Sequence, residues 1–249
     1  MRLILLIIAL ATASHAAVFG YSQSAALINS STVAFSGNVT SGHLLIAWYG
    51  AYASGQPGGF SDTIGNIWTA PSCVLFGSSV ICVSLAISKS TAADTVTLTS
   101  PGPNVHGAVM IGEYTVPASF TLLIGQGCAS TGSGNSSYCG LTTFTITQNG
   151  IIPPGTEYMT ITGFFDSHTA HSWSSSTGAT VEQQPAMAAC ICAVGFGDHD
   201  LTTTVAIASP YTDNYGSAFS LTTSLVGLAV VLQANAGSTG GQSAYGTAQ

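Results

Sequence analysis

The sequence predicts an all-β protein, a single large domain built as a two-sheet antiparallel β-sandwich of jelly-roll-like or Ig-like type. Residues 82–89 and 94–99 alternate apolar with small or polar side chains, which is typical of half-buried strands. About a dozen short segments of this kind are separated by Gly, Pro, Ser and Asn turns, and none has helical periodicity. Such segments bury their apolar faces by packing two sheets together.

The two ends of the chain differ from the rest. Arg2, an apolar run over residues 3–11 and the small residues Ser14 and Ala16 have the layout of a secretory signal peptide cut after Ala16. The run is shorter than the roughly 20 residues that cross a bilayer, so we expect no membrane span after cleavage. We therefore expect a signal over residues 1–16, the sandwich over 17–234 and a flexible Gly/Ser-rich tail over 235–249 in a secreted, extracellular or cell-surface protein.

The strands are expected in a regular succession. Residues 43–52 are strongly apolar and predict a central strand, and residues 73–89 predict a hairpin. A type II′ turn at Gly77-Ser78 would place Cys73 opposite Cys82. The other expected strands are residues 18–21, 32–35, 94–99, 106–116, 120–125, 139–147, 157–165, 188–196, 202–207, 219–223 and 225–233.

The most distinctive stretch is the turn Ser61-Asp62-Thr63-Ile64-Gly65-Asn66-Ile67-Trp68-Thr69. Asp62 can cap a turn, Gly65-Asn66 suits a left-handed backbone, and Trp68 can anchor the turn to the core. The oxygens of Asp62 and Asn66 could instead bind calcium, but that ion takes about six to eight oxygen ligands and this loop offers few. We therefore expect the turn to be structural.

This turn, the apolar strand before it, the Asp-Thr-Val-Thr-Leu-Thr run of residues 94–99 and Ile111-Gly112-Glu113-Tyr114 resemble a class of exported bacterial β-sandwich domains. Members of that class carry a Ser-Asp-Thr-x-Gly-Asn-x-Trp-Thr turn. The resemblance covers the first half of the chain. It implies a surface, adhesive or phage-structural module, and it transfers no catalytic residue.

The cysteines predict disulfides, because an even number follows an export signal. The best local pair is Cys73 with Cys82. Cys128 and Cys139 could close the polar loop between them, whereas Cys190 and Cys192 share one strand face and could bond elsewhere or to each other. The six candidate residues are Cys73, Cys82, Cys128, Cys139, Cys190 and Cys192.

The scarcity of charge limits the partners. Charged residues make up 4% of the chain, against about 25% in ordinary domains. Signal cleavage would leave one lysine, Lys89, against nine acidic residues, so the Lys/Arg patch that binds nucleic acid is missing. A surface with little charge also does little to repel its own copies, so we expect self-association, or binding to a cell-surface glycan or protein.

One segment has the composition of a metal site. Asp166, His168 and His171 could together hold zinc or a similar ion, although their spacing matches no established zinc motif. Solvated loop residues are the simpler interpretation. We therefore expect no cofactor, with calcium or zinc as the open alternatives.

Exposed aromatic rings and sequons supply the other candidate sites. Rings in polar Ser/Thr/Asn/Asp contexts can stack on sugars, and Asn-x-Ser/Thr sequons can accept glycans in a host that modifies exported proteins. The ligand-binding candidates are Tyr138, Trp173, Tyr211 and Tyr215, and the glycosylation candidates are Asn29, Asn38 and Asn135.

No catalytic residue is expected. The chain has no Gly-x-Ser-x-Gly elbow, and a glycan hydrolase would need two facing carboxyl groups, for which Glu113 and Glu157 are the strand candidates. We therefore expect a secreted, non-enzymatic protein for surface adhesion, or a subunit of an extracellular filament or assembly. The alternative is a carbohydrate-binding module or, less favoured, a glycan-acting hydrolase.

Overall fold

All secondary structure described in the computed structural model is β-strand, which confirms the all-β class. The expected signal over residues 1–16, the expected tail over 235–249 and the expected strand at 219–223 lie outside the described residues. Those are residues 19–52, 56–76, 79–100, 107–130, 143–146, 151–152, 157–166, 179–183, 185–187, 192–202, 207–208, 211–214 and 225–234.

The strands of the described residues are numbered in chain order. They are β1 (Gly20–Ile28), β2 (Thr32–Val39), β3 (Leu44–Tyr52), β4 (Gly59–Asp62), β5 (Ser72–Phe76), β6 (Ser79–Ile87), β7 (Ala92–Ser100), β8 (Gly107–Thr115), β9 (Phe120–Ser130), β10 (Thr143–Ile146), β11 (Ile151–Ile152), β12 (Glu157–Asp166), β13 (Ala179–Gln183), β14 (Ala186–Met187), β15 (Cys192–Thr202), β16 (Ile207–Ala208), β17 (Tyr211–Asn214) and β18 (Leu225–Ala234).

A five-stranded sheet, the middle sheet, lies at the centre of the fold. Its order is β1-β8-β3-β6-β5, and every neighbouring pair is antiparallel. Its inner strands are buried on both faces: in β6, Val83 and Leu85 enter one core, whereas Cys82 and Ala86 enter another. The expectation of a half-buried β6 was therefore wrong, because sheets cover the middle sheet on both sides.

A three-stranded sheet, β2-β7-β4, covers one face of the middle sheet. Its central strand alternates as predicted, since Val96 and Leu98 are buried while Thr99 points outward. The buried side chains meet Leu45 and Tyr49 of β3 in a common core. This pair of layers is the β-sandwich expected from the sequence.

A six-stranded sheet covers the other face. Its order is β13-β15-β12-β18-β9, with β14 also paired to β15. Its core side chains, including Phe165 and Phe196, pack with Trp48 and Met110 of the middle sheet. One hydrophobic core therefore joins strands from both halves of the chain. Two short antiparallel pairs, β10 with β17 and β11 with β16, complete the described strands.

The β5–β6 hairpin has the register that the sequence predicts. Cys73 lies opposite Cys82 and Phe76 lies opposite Ser79, which leaves a two-residue connection at Gly77-Ser78, outside the described residues. The two cysteines form a disulfide with an S–S distance of 2.05 Å. The predicted local pairing is confirmed.

Candidate functional site: the open edge of the middle sheet

Strand β1 forms one edge of the middle sheet, and β5 forms the other. The nine residues of β1 include no charged residue and no proline, the features that usually block an edge from pairing with another chain. Leu27 is 48% exposed and Ile28 is 37% exposed. Within the described residues, the second half of β1 is therefore an apolar edge to which no further strand is paired.

The first half of β1 is covered by side-chain contacts. The Gln23 amide nitrogen donates to the Asn38 carbonyl at 3.1 Å, and Gln23 Oε1 accepts from the Gly37 N–H at 3.0 Å, which ties β1 to β2. Ser24 Oγ donates to the Glu182 carbonyl at 3.3 Å and accepts from Gln183 Nε2 at 2.7 Å, which ties β1 to β13. Among the described residues, no side-chain hydrogen bond covers residues 25–28, which we call the open part of β1.

The backbone N–H and C=O groups of this open part point alternately toward β8 and away from it. The Asn29 N–H donates to the Gly107 carbonyl at 2.8 Å, one residue beyond the pairing of Ile28 with Ala108. In an antiparallel pair, alternate residues turn both backbone groups toward the same neighbour. Leu27 therefore bonds to β8, whereas Ala26 and Ile28 direct their N–H and C=O groups away from β8, toward the open edge.

A buried carboxylate holds the first half of β1 to its neighbours. Glu113 of β8 is 1% exposed. Its Oε1 accepts from the Thr40 N–H at 2.7 Å and lies 2.8 Å from His43 Nδ1, while its Oε2 accepts from Gln23 Nε2 at 2.6 Å. These contacts join β1, β8 and the β2–β3 connection, so Glu113 acts as a structural acceptor.

Two titratable groups lie where β1 meets β13. Burial raises the pKa of the Glu182 carboxyl, and its hydrogen bond with the Tyr21 hydroxyl acts in the opposite direction. Burial also raises the pKa of Tyr21; the bond to Ser24 lowers it, and the negative charges of Glu182 and Asp198 raise it further. Burial at this junction is therefore the main cause of both shifts in pKa.

The turn after β4 is structural, as expected. Asp62 Oδ1 accepts from the N–H groups of Gly65 and Asn66 at 2.6 and 2.9 Å, and Oδ2 accepts from Asn66 Nδ2 and Trp68 Nε1, both at 2.8 Å. Gly65 has a φ of 74°, the left-handed conformation that the sequence predicts there. Four protein donors thus occupy the carboxylate that was considered for calcium, and the ring of Trp68 packs against Phe60.

The other end of this turn is held by Lys89. Its backbone N–H donates to Asn66 Oδ1 at 3.0 Å, and its Nζ donates to the Gly65 carbonyl at 2.6 Å. The distinctive turn is therefore bonded to the segment that follows β6.

The sequence matches no protein-family model, and it has no significant match among curated proteins or solved structures. The resemblance of the Ser61–Thr69 turn to exported bacterial β-sandwich domains therefore stays a prediction. None of the described residues forms a helix that could span a membrane.

The aromatic binding candidates are only partly placed. Tyr211 is the first residue of β17, where it pairs with Ile146 of β10. Tyr138, Trp173 and Tyr215 lie outside the described residues. Their joint role as a binding surface stays a prediction.

Only one of the three metal-ligand candidates lies in the described residues. Asp166 is the last residue of β12, and His168 and His171 lie outside the described residues. Across the described ranges, no three His, Cys, Asp or Glu side chains are grouped to hold a metal ion. A zinc site at Asp166 is therefore untested.

The remaining sequence candidates divide between described and other residues. Asn29 and Asn38 are both exposed, as glycosylation requires, and Asn135 lies outside the described residues. Cys128 lies in β9 and Cys192 in β15, whereas Cys139 and Cys190 lie outside. The pairings of these four cysteines stay predictions.

Sequence reasoning names an exposed edge strand or the N-terminal segment over residues 18–35 as able to add to a neighbour's sheet, but it does not single out β1 as the open edge. Its partner β8 lies far along the chain, so no local pattern marks β1 as an edge. The available signal was the run of uncharged residues from Gly20 to Ile28, which lacks any edge-blocking side chain.

Proposed function

We propose that this protein is a secreted, non-enzymatic β-sandwich protein that acts as a subunit of an extracellular assembly. One observation carries the proposal: the open half of β1 offers the outward backbone groups of Ala26 and Ile28 beside the exposed side chain of Leu27. An uncharged edge of this kind pairs readily with a strand of another chain.

Export is supported by two features. The first 16 residues have the layout of a signal peptide. The Cys73–Cys82 disulfide suits the oxidising conditions outside the cytoplasm.

The non-enzymatic part of the proposal is supported by the contacts of the carboxylates. Glu113, one of the two strand carboxylates considered for hydrolysis, is held by Thr40, His43 and Gln23. Asp62 is held by four N–H donors of its own turn. Both groups thus serve the fold.

The test is self-association of the full chain after export. Sedimentation velocity over a range of concentrations, with electron microscopy of the same samples, should show oligomers of the native protein. Leu27→Lys should weaken association, because a charge at an open edge opposes strand pairing. Thr99→Lys adds the same charge to an exposed position of β7 and should leave association unchanged. A native protein that stays monomeric at every concentration would overturn the proposal.

Adhesion to a neutral glycan surface is the second candidate, and it rests on a different observation. On the outer side of the three-stranded sheet, Thr32 lies directly opposite Thr97, which lies directly opposite Ser61. This row of hydroxyl groups could bond to sugar hydroxyls. Binding to insoluble polysaccharides that is lost in Thr97→Lys and kept in Leu27→Lys would support it, and equal binding by both variants would count against it.

A further inference from the structure

The number of strands in the middle sheet limits how it can be extended. All four neighbouring pairs among its five strands are antiparallel, so the two edge strands β1 and β5 run in the same direction. Copies related by translation would therefore join β1 to β5 in parallel. Two copies related by a two-fold axis would join β1 to β1 in the antiparallel manner of the rest of the sheet, which is the more stable pairing.

We infer that two copies of this chain pair through β1 across a two-fold axis, with Leu27 of one copy opposite Leu27 of the other. This inference rests on the proposed function, because it names the partner of the same edge. Each Ala26 would exchange two backbone hydrogen bonds with Ile28 of the second copy, so the outward groups of all four residues would be paired. The two middle sheets would then form one continuous sheet.

The contacts of β1 favour this register over one centred on Ala26. Only every second residue of β1 directs its backbone N–H and C=O groups outward. Two such residues lie opposite each other only when the two-fold axis passes through a residue and not between two residues. An axis at Ala26 would pair Ser24 with Ile28, but Ser24 already contacts Glu182 and Gln183 of β13, which cover that part of the edge. An axis at Leu27 uses only the outward backbone groups of Ala26 and Ile28, so the contacts of Ser24 with β13 are kept.

The side chains of the edge suit a copy of itself. A two-fold axis at Leu27 places Leu27 opposite Leu27 and Ala26 opposite Ile28, so a charge close to the axis would lie near a like charge. β1 has none. Leu27 and Ile28, which are 48% and 37% exposed, would be covered by the second copy, and this burial favours association.

Proline substitutions distinguish the backbone N–H groups of β1 that point outward from those that bond to β8. Ala26→Pro removes an N–H that points outward, and proline is tolerated in edge strands at such positions. Two of the four intermolecular bonds would be lost, so the dimer dissociation constant should rise about tenfold or more while the thermal midpoint of the monomer changes little. Ala25→Pro removes an N–H that bonds to β8 and should instead lower the thermal midpoint.

A cysteine substitution tests the register directly. Directly opposite residues of antiparallel strands are close enough for a disulfide, as Cys73 and Cys82 show with a Cα–Cα distance of 4.1 Å. Leu27→Cys should therefore give a covalent dimer under mild oxidation, with the native disulfide intact. Ile28→Cys should give much less, because the two Ile28 positions would lie diagonally across the pair.

The outcomes distinguish this inference from the proposed function. A native dimer that Ala26→Pro weakens and Leu27→Cys traps supports both. Self-association that Ala26→Pro leaves unchanged and Leu27→Cys does not trap overturns the β1–β1 pairing and keeps the assembly. A native protein that is monomeric at every concentration overturns both.

Discussion

Gly163 of β12 lies against the indole of Trp48 in β3, so close that a Cβ at position 163 would be 2.4 Å from Trp48 Cε3. Trp48 is fully buried and stacks on Phe196, with ring centroids 6.4 Å apart. A Cβ at Gly50 would similarly lie 2.6 Å from Val194 Cγ2. The absence of side chains at these two glycines therefore allows the middle and six-stranded sheets to approach each other.

Gly163→Ala should destabilise the protein, because the new methyl group overlaps the rigid indole. Overpacking of this kind costs about 1–3 kcal/mol. Urea unfolding followed by fluorescence measures the change. Gly20→Ala is the matched control, since nothing lies within 4 Å of a Cβ there. Equal stability of the two variants would contradict the close approach of the sheets.

Asp94→Asn should change how stability depends on pH. Asp94 is 2% exposed, and burial raises the pKa of its carboxyl above the ordinary value of 3.8, against the lowering effect of the Thr63 hydroxyl bond. Among the described residues its Oδ2 has no hydrogen-bond partner. A raised carboxyl pKa favours the folded state at low pH, and this contribution is lost as the pH rises through the folded-state pKa.

Asparagine removes this titration and keeps an oxygen acceptor for Thr63. The stability of Asp94→Asn relative to the native protein should therefore be more favourable at pH 7 than at pH 4. Thermal midpoints of both proteins at the two pH values provide the measurement. The same difference at both pH values would show that Asp94 does not titrate as described.

Glu113→Ala should be among the more damaging changes to a polar residue. It leaves three part-buried donors, the Thr40 N–H, the Gln23 amide and His43, without their common acceptor, and a fully buried donor left unpaired costs about 1–3 kcal/mol. We expect a loss of about 3 kcal/mol in chemical denaturation. Glu113→Gln retains one acceptor oxygen and should lose less, so equal losses in the two variants would argue against the network.

Removal of the disulfide should destabilise the β5–β6 hairpin. Cys73 and Cys82 are separated by nine positions, and a loop of that length corresponds to about 2.5 kcal/mol of unfolded-state entropy. A Cys73→Ala/Cys82→Ala variant should lose roughly this amount in urea. Native protein treated with reductant should behave alike, and a reduced protein as stable as the oxidised one would contradict the prediction.

The hairpin register could be read from the sequence because a two-residue turn fixes every pair that follows it. The burial of β6 on both faces could not. Its second face carries small polar residues that look solvent-exposed, but Ser84 in β6 and Ser88 directly after it are buried, and their hydroxyls donate to the carbonyls of Thr69 and Ser90 at 2.6 and 2.9 Å. Side-chain bonds of this kind leave no periodic signal in the sequence.

Strands defined by distant partners were also missed. β4 is four residues long and exists because it pairs with β7, and β13 exists because it pairs with β15. The candidate edge has the same origin, since β1 was expected only as far as Tyr21 and its extension to Ile28 follows from pairing with β8. Long-range pairing decides these features, and a single sequence does not state it.

The hydrogen bonds of Lys89 bear on the cleavage of this protein by proteases. Arg2 lies in the expected signal, so Lys89 would be the single position in the exported chain at which a trypsin-like enzyme could cut. There the backbone N–H is bonded to Asn66 and the ammonium group to the carbonyl of Gly65. A protease that requires a basic residue in an extended, accessible segment would meet Lys89 held against a turn, and this should slow cleavage at Lys89.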